Sequence, residues 1–252
     1  MIEIFILSLI QGITEFLPIS SSSHLILTSQ FLNFSNQNIT IDVNLHIGSF
    51  LAVIFYFKKD LLSFIKKKDL FFKIIISSLP LILVGFVLIK FNLIEYFRNI
   101  KVIGWMTIIF GILLYLSDKF KNNKNINNNF SYKSALFIGI LQIFSLIPGV
   151  SRSGITITAG RFLEFKRIEA AKISFLLSIP TLAAVSFYGI NELIKSENMQ
   201  FSLLSILSIL LSFLFSLITI KYFLKYIEKF NLNIFVYYRI VLGLSILAVA
   251  YL

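Results

Sequence analysis

Cysteine is absent from all 252 residues, which excludes disulfides and thiolate-bound metals and removes redox chemistry as a guide to compartment. Charge is scarce as well: 14% of residues are charged against 57% hydrophobic, with a mean hydropathy of +0.88. So little charge argues against a soluble core, and the long apolar runs describe an all-α, polytopic membrane protein. Acids are the scarcer sign, 12 against 23 Lys and Arg, for a net charge of +11. In a soluble chain that excess would suggest nucleic acid. Between apolar runs it serves topology and contact with anionic lipid, and no nucleic-acid partner is expected. The start, Met1-Ile2-Glu3, has neither a basic leader nor a small-residue cleavage site, so no removed signal peptide is expected.

The basic residues set an expected topology. Met1 to Pro18 and Ile19 to Leu32 can each enter a bilayer, but at 1.5 Å per residue each gives only about 20–27 Å of helix, too little to span comfortably. The loop over 33–41 is uncharged, whereas Lys58, Lys59, Lys66, Lys67 and Lys68 make the next one cytoplasmic. Spans are expected near 42–57, 70–90, 101–117, 167–190, 201–226 and 233–252. The stretch 134–147 enters from a basic side and is followed by Arg161, Lys166 and Arg167, basic again, so an even number of crossings lies between. A re-entrant hairpin with Pro148 and Gly149 at its tip supplies them. Parity then makes the first 32 residues a mirror-image hairpin tipped at Pro18. Of the 23 Lys and Arg, Lys90, Arg98, Lys101 and Lys195 fall outside and Arg152 is alone at depth, the rest being cytoplasmic. Tyr238 and Arg239 are read among the latter as interface anchors without chemistry.

A weak internal repeat agrees. Pro18-x-x-Ser21 matches Pro148-x-x-Ser151 at an offset of 130 (148 − 18), while Ala52 to Tyr56 matches Ala184 to Tyr188, and Gly111 matches Gly243, at 132. The expectation is a single membrane domain of two inverted halves, 1–120 and 132–252, joined by an asparagine-rich linker over 121–131. Each half holds one re-entrant hairpin and three spans, six transmembrane helices in all.

The two tips carry the polar groups. Serines after each proline are favoured helix N-caps, so two helix N-termini are expected to converge as an anion site near the midplane, with Ser20, Ser151 and Ser153 at the caps. Arg152 adds a planar cation suited to phosphate oxygens, and Gly149 and Gly154 let the backbone come close. Gln11 and Glu15, four apart, share a helix face. Glu15 is suited to hold a hard divalent cation together with phosphate, to act as a general base, or simply to pair with Arg152. Ser21 and His24, three apart, can form a nucleophile and base, or His24 can protonate a leaving group. Asp42, Asn44 and His46 either line the entrance or cap the next span.

At these residues the chain resembles the bacterial undecaprenyl-diphosphate phosphatase family, also called the bacitracin-resistance family. The resemblance rests on QGITEFLPISSSSHL near the start, DVNLHIGSFLAV after it and PGVSRSGITI at 148–157, and its layout covers essentially the whole chain. It implies a multi-pass enzyme of the bacterial inner membrane with an outward-facing site, hydrolysing undecaprenyl diphosphate to the monophosphate and recycling the lipid carrier of cell-wall synthesis. It also implies a divalent cation, Mg or Ca, held through Glu15. The family's amide/acid pair falls on Gln11 and Glu15, its serine and histidine on Ser21 and His24, and its phosphate-binding group on Ser151, Arg152 and Thr156. Two positions depart from the pattern: Gln11 stands where an acid is frequent, and Ser23 where glycine is common. Homo-oligomerisation is left open. The rival reading is a lipid-phosphate flippase or anion transporter, because inverted hairpin repeats are also a transporter architecture.

Overall fold

The computed structural model describes residues 1–32, 39–64, 68–195 and 203–252. Most of the expected outer loops at 33–41 and 191–202, and the lysines Lys66 and Lys67, lie outside the described residues. In chain order the helices are α1 (Ile2–Thr14), α2 (Ser21–Leu32), α3 (Ile39–Tyr56), α4 (Lys58–Phe64), α5 (Lys68–Lys90), α6 (Ile100–Asp118), α7 (Ile126–Asn129), α8 (Tyr132–Gln142), α9 (Arg152–Phe162), α10 (Arg167–Lys195), α11 (Leu203–Lys229) and α12 (Asn233–Tyr251). Among the described residues there is no strand beyond one isolated bridge between Lys124 and Phe165.

Five helices, α5, α6, α10, α11 and α12, are long and apolar enough to cross a membrane, which makes the chain a polytopic helical membrane protein. The apolar part of α3, Ile41–Tyr56, is shorter. It measures about 24 Å at the rise of an α-helix. The segments α1 and α8 are shorter still or interrupted, as the positions of Pro18 and Pro148 predict. Large side chains such as Phe5, Leu83, Phe86, Leu210 and Leu214 are exposed, the surface expected of helices solvated by lipid.

The helices pack across the two halves of the chain. α3 lies against α10 and α11, α6 against α12, α1 against α11 and α5 against α8. Between apolar helices in lipid, close approach through small residues replaces the hydrophobic drive. At Gly48 a Cβ would sit 2.4 Å from the Ile209 carbonyl oxygen, so α3 and α11 meet backbone to backbone. The Ser212 hydroxyl donates to the Leu45 carbonyl at 2.7 Å across the same seam. One aromatic chain fixes the first tip. Phe16, fully buried, meets Phe175 of α10 edge-on at 5.3 Å, and Phe175 in turn meets Phe223 of α11 at 5.9 Å.

At one end of the bundle, buried Asp118 gathers four helices. Its Oδ1 accepts from Arg161 Nε at 3.3 Å and Arg167 Nε at 2.7 Å, and its Oδ2 from the Leu232 backbone at 3.2 Å. Arg161 also donates to the carbonyls of Lys121 and Phe120, so the asparagine-rich stretch is tied to the bundle. Ile126 N–H donating to Glu169 at 3.0 Å and the buried ring of Phe130 complete the attachment. Removing one partner of a buried ion pair strands the other's charge. Asp118→Ala is therefore expected to lower stability by about 3–5 kcal/mol, read as an earlier thermal unfolding transition in detergent. An unchanged transition would show that Arg161 and Arg167 do not depend on this carboxylate.

Candidate functional site

Both chain breaks use a backbone conformation that L-residues avoid. Ser20, just before α2, has φ +73°, and Ser151, the N-cap of α9, has φ +69°. Non-glycine residues in this region cost on the order of 1 kcal/mol or more and persist where surroundings over-determine them. The surroundings here are the opposite tip. Ser153 Oγ donates to the Leu17 carbonyl at 2.7 Å, and the Gly149 N–H donates to Ser20 Oγ at 3.3 Å. Gly149 needs to be glycine: its φ is +98° and a Cβ would lie 2.6 Å from the Ile103 carbonyl oxygen. Ser151 Oγ accepts from the Gly154 N–H at 3.1 Å, the N-cap bond that its sequence position predicts.

Arg239 joins the tips, in contrast to its reading as an interface anchor. It is fully buried, six residues into α12, and Arg152 is thus not alone at depth. Its Nη1 donates to Pro18 O at 3.1 Å and Val150 O at 3.0 Å, its Nη2 to Gly149 O at 2.7 Å and Met106 O at 3.5 Å, and its Nε to Thr107 O at 3.1 Å. All five N–H donors of the guanidinium are engaged by carbonyls, and among the described residues it makes no ion pair. The repeat offset contained a signal for it: 239 − 132 is 107, the middle of α6 and not the end of a span.

The chemistry converges on Glu15, which follows the last residue of α1. Glu15 Oε1 accepts from Arg152 Nη2 at 2.9 Å, so of the three roles open to Glu15 the pairing with Arg152 is the one the structure displays. Oε2 accepts from Ser21 Oγ at 2.7 Å and from Gln11 Nε2 at 3.2 Å. The anticipated Ser21–His24 pairing is replaced by this Ser21–Glu15 bond. A side chain at the first position of a helix tilts toward the N-terminus, which aims Ser21 back at the tip and away from the residue one turn later. His24 instead has Nδ1 2.6 Å from the Ser20 carbonyl and Nε2 2.6 Å from the phenol oxygen of Tyr238, the residue expected to carry no chemistry.

The remaining expected residues divide into those near the carboxylate and those beneath the arginine. Gln11 is fully buried, and its Oε1 has no partner. Thr156 is fully buried and committed: its hydroxyl bonds the Arg152 carbonyl at 2.8 Å and Ser174 Oγ at 2.7 Å. Ser174, which the sequence did not single out, also offers its carbonyl to Arg152 Nη1 at 3.3 Å, so Ser174 braces the guanidinium and Thr156 ties Ser174 to the Arg152 backbone. Of the entrance candidates, His46 bonds the Asp42 carbonyl at 2.7 Å, and Asn44 is buried. No group of three or more His, Cys, Asp or Glu suited to a metal occurs among the described residues. Among the described residues, Glu15 and the free Gln11 Oε1 could hold a divalent cation completed by phosphate oxygens.

Fold and site together define a polytopic helical membrane protein whose two chain breaks meet around a buried guanidinium–carboxylate pair. The guanidinium and carboxylate of that pair come from opposite halves of the chain. It belongs to the bacitracin resistance protein BacA family, whose pattern matches residues 4–245. It is 47% identical over 251 residues to the undecaprenyl-diphosphatase of Pelagibacter ubique (strain HTCC1062), covering 99% of this chain and 98% of that one. It is 40% identical to the undecaprenyl-diphosphatase of Aliivibrio salmonicida (strain LFI1238), over 98% of this chain and 97% of the relative, and 38% identical to that of Jannaschia sp. (strain CCS1), over 98% of each.

Truncating Arg239 leaves its carbonyls without donors at a depth where water cannot replace them. Arg239→Met is expected to destabilise by about 3–5 kcal/mol, with Arg239→Lys intermediate because a point donor cannot reach every carbonyl. Thermal unfolding of the three proteins in one detergent checks the order. Equal transitions in all three would remove Arg239 from the role of joint.

Proposed function

We propose that this chain is an integral membrane phosphatase that hydrolyses undecaprenyl diphosphate to undecaprenyl phosphate and inorganic phosphate, recycling the lipid carrier for cell-wall synthesis. The observation that carries the reading is one carboxylate shared between a serine hydroxyl at 2.7 Å and a guanidinium at 2.9 Å. That is a nucleophile and an anion binder held on the two oxygens of one base. The relatives' shared name, undecaprenyl-diphosphatase, supports the same substrate.

In this reading the terminal phosphate settles against Arg152 and the N-terminal ends of α2 and α9, where helix dipoles favour negative charge. Glu15 takes the proton of Ser21 as Ser21 Oγ bonds to the terminal phosphorus. The bridging P–O bond breaks, and undecaprenyl phosphate leaves with that oxygen. Water then cleaves the phosphoserine, releasing phosphate and returning Ser21. Direct attack by water with His24 as base is the variant. Anion transport or lipid flipping needs the cation and the helix ends but has no use for a base on Ser21, which favours hydrolysis.

The finer architecture belongs to the same proposal: six spans, counting α3, and two re-entrant hairpins, α1–α2 and α8–α9, in inverted halves 1–120 and 132–252 around the 121–131 joint. It is supported by the near-constant offset, by the paired left-handed serines 131 apart (151 − 20), and by packing that repeats on exchange of halves, α1 on α11 and α8 on α5. With the positive-inside count, this orients the site outward from the bacterial inner membrane.

A divalent cation, Mg or Ca, would be held by Glu15 and Gln11 Oε1 and would supply charge neutralisation to the diphosphate. Every other step belongs to the side chains named. Gln11→Glu gives that cation a second carboxylate and is expected to raise its affinity about tenfold or more. The readout is cation-dependent thermal stabilisation with a methylene-bridged diphosphonate, and equal affinity in the two proteins would remove residue 11 from the ligand set.

The central test is phosphate release from undecaprenyl diphosphate by purified protein. Glu15→Gln and Arg152→Ala are each expected to lose about 100-fold or more in kcat/KM, and Ser21→Ala to abolish phosphoserine labelling. Full activity in Ser21→Ala would leave the water route, and full activity in both other variants would refute the site.

A further inference from the structure

The serine route described above leaves the His24–Tyr238 pair without a task. His24 Nδ1 lies 2.6 Å from the Ser20 carbonyl. A carbonyl oxygen only accepts, so Nδ1 carries the hydrogen, and in the neutral imidazole Nε2 carries the lone pair. That lone pair faces the Tyr238 phenol at 2.6 Å, and the phenol's single hydrogen fills the bond. The two rings lie within 10° of parallel with centroids 5.7 Å apart. Neither nitrogen faces Ser21, whose hydroxyl is already on Glu15.

Both ends of the pair are held by the tips. Ser20, which fixes the tautomer, is the strained residue before α2, and its own hydroxyl bonds Ser23 at 3.0 Å and accepts from Gly149. Tyr238 is the chain neighbour of Arg239, whose five carbonyl bonds anchor that turn of α12. Tyr238 itself is 43% exposed, whereas His24 is half-buried behind it. A proton travelling to Nε2 therefore passes through the phenol or displaces it.

We propose that Tyr238 is a further catalytic residue, the relay through which His24 takes a proton from the water that hydrolyses the phosphoserine. The inference rests on the phosphatase reading. In the second half-reaction the water gives a proton to the Tyr238 oxygen while the Tyr238 hydrogen passes to His24 Nε2. The hydroxide so formed bonds to phosphorus. The Ser21 Oγ–P bond breaks, and Ser21 recovers the proton that Glu15 took in the first half-reaction. His24 returns its proton along the same path to the departing phosphate. No electron transfer and no further reactant is involved.

The test compares wild type, Tyr238→Phe, His24→Ala and the double variant in phosphate release from undecaprenyl diphosphate, with phosphoserine trapped by acid quench. Phe keeps the ring against His24 and removes only the hydroxyl. Expected are a kcat reduced about 10- to 100-fold with KM within about threefold, accumulation of phosphoserine, and a double variant no slower than His24→Ala alone. A thermal unfolding transition unchanged in Tyr238→Phe separates this from loss of fold. Wild-type kcat in Tyr238→Phe, or independent losses that multiply in the double variant, would overturn the relay while leaving the phosphatase reading intact. Absence of phosphate release from the wild type would overturn the phosphatase reading and the relay with it.

Discussion

Breaking a helix at membrane depth frees backbone carbonyls that lipid cannot satisfy, each at a cost of several kcal/mol, and this chain breaks two helices at one place. The guanidinium of Arg239 answers that constraint. It collects carbonyls from Pro18 in one break and from Gly149 and Val150 in the other, and holds α6 through Thr107 and Met106. A lysine has three donors and no fixed fork, so it could not serve two separate turns and a helix at once. With the carbonyls taken by one side chain, the helix N-termini of α2 and α9 are left to face a ligand. The strained serines, the buried amide of Gln11 and the Glu15–Arg152 contact all presuppose that the tips are held together.

In the proposed inverted repeat the two halves are alike in backbone and unlike in chemistry. Alignment on the two left-handed residues, Ser20 and Ser151, sets Ser21 against Arg152 and Gln11 against Gln142. One half thus brings a hydroxyl to the position where the other brings a cation. The same alignment sets Glu15 against Leu146, so only one tip bears a carboxylate. On that proposal two helix ends aim at a common point, and the differences at single positions give that point its chemistry.

Much of this was legible in the sequence, and what was not has definite physical causes. Prolines, serines and span lengths located the breaks, because helix termination is local chemistry. An unexplained intramembrane charge singled out Glu15 and Arg152. Arg239 escaped because it stands near the start of an apolar run, where a snorkelling anchor and a buried donor read alike. A rise of 1.5 Å per residue puts it about 9 Å into α12, and only the partner elements decide which it is. Ser21 and His24 were expected to meet because residues three apart share a helix face. That rule orders residues within a helix. It does not govern the first turn, where side chains lean back over the preceding loop and find partners there. Tyr238 had no signal of its own, since its role depends on a contact across 214 residues of chain.

In the proposed mechanism the charges around the tips tie reaction to the arrival of substrate. Glu15 offsets Arg152, and Arg239 has its donors satisfied by dipoles and not by an acid. The site therefore carries surplus positive charge in a medium that screens it poorly, a field suited to a diphosphate. A phosphate that takes Arg152 does more than bind. In the proposed mechanism it draws the guanidinium from Glu15 Oε1, while Oε2 stays in contact with the hydroxyl of Ser21. Substrate arrival and base activation are then one exchange of partners. A carboxylate held by arginine until the phosphate arrives also keeps the serine idle toward water in the meantime. The same economy applies to His24, whose lone pair is capped by a phenol until a reacting water comes within reach of that phenol. Both bases rest in satisfied hydrogen bonds, which a low-dielectric interior requires of any polar group it holds.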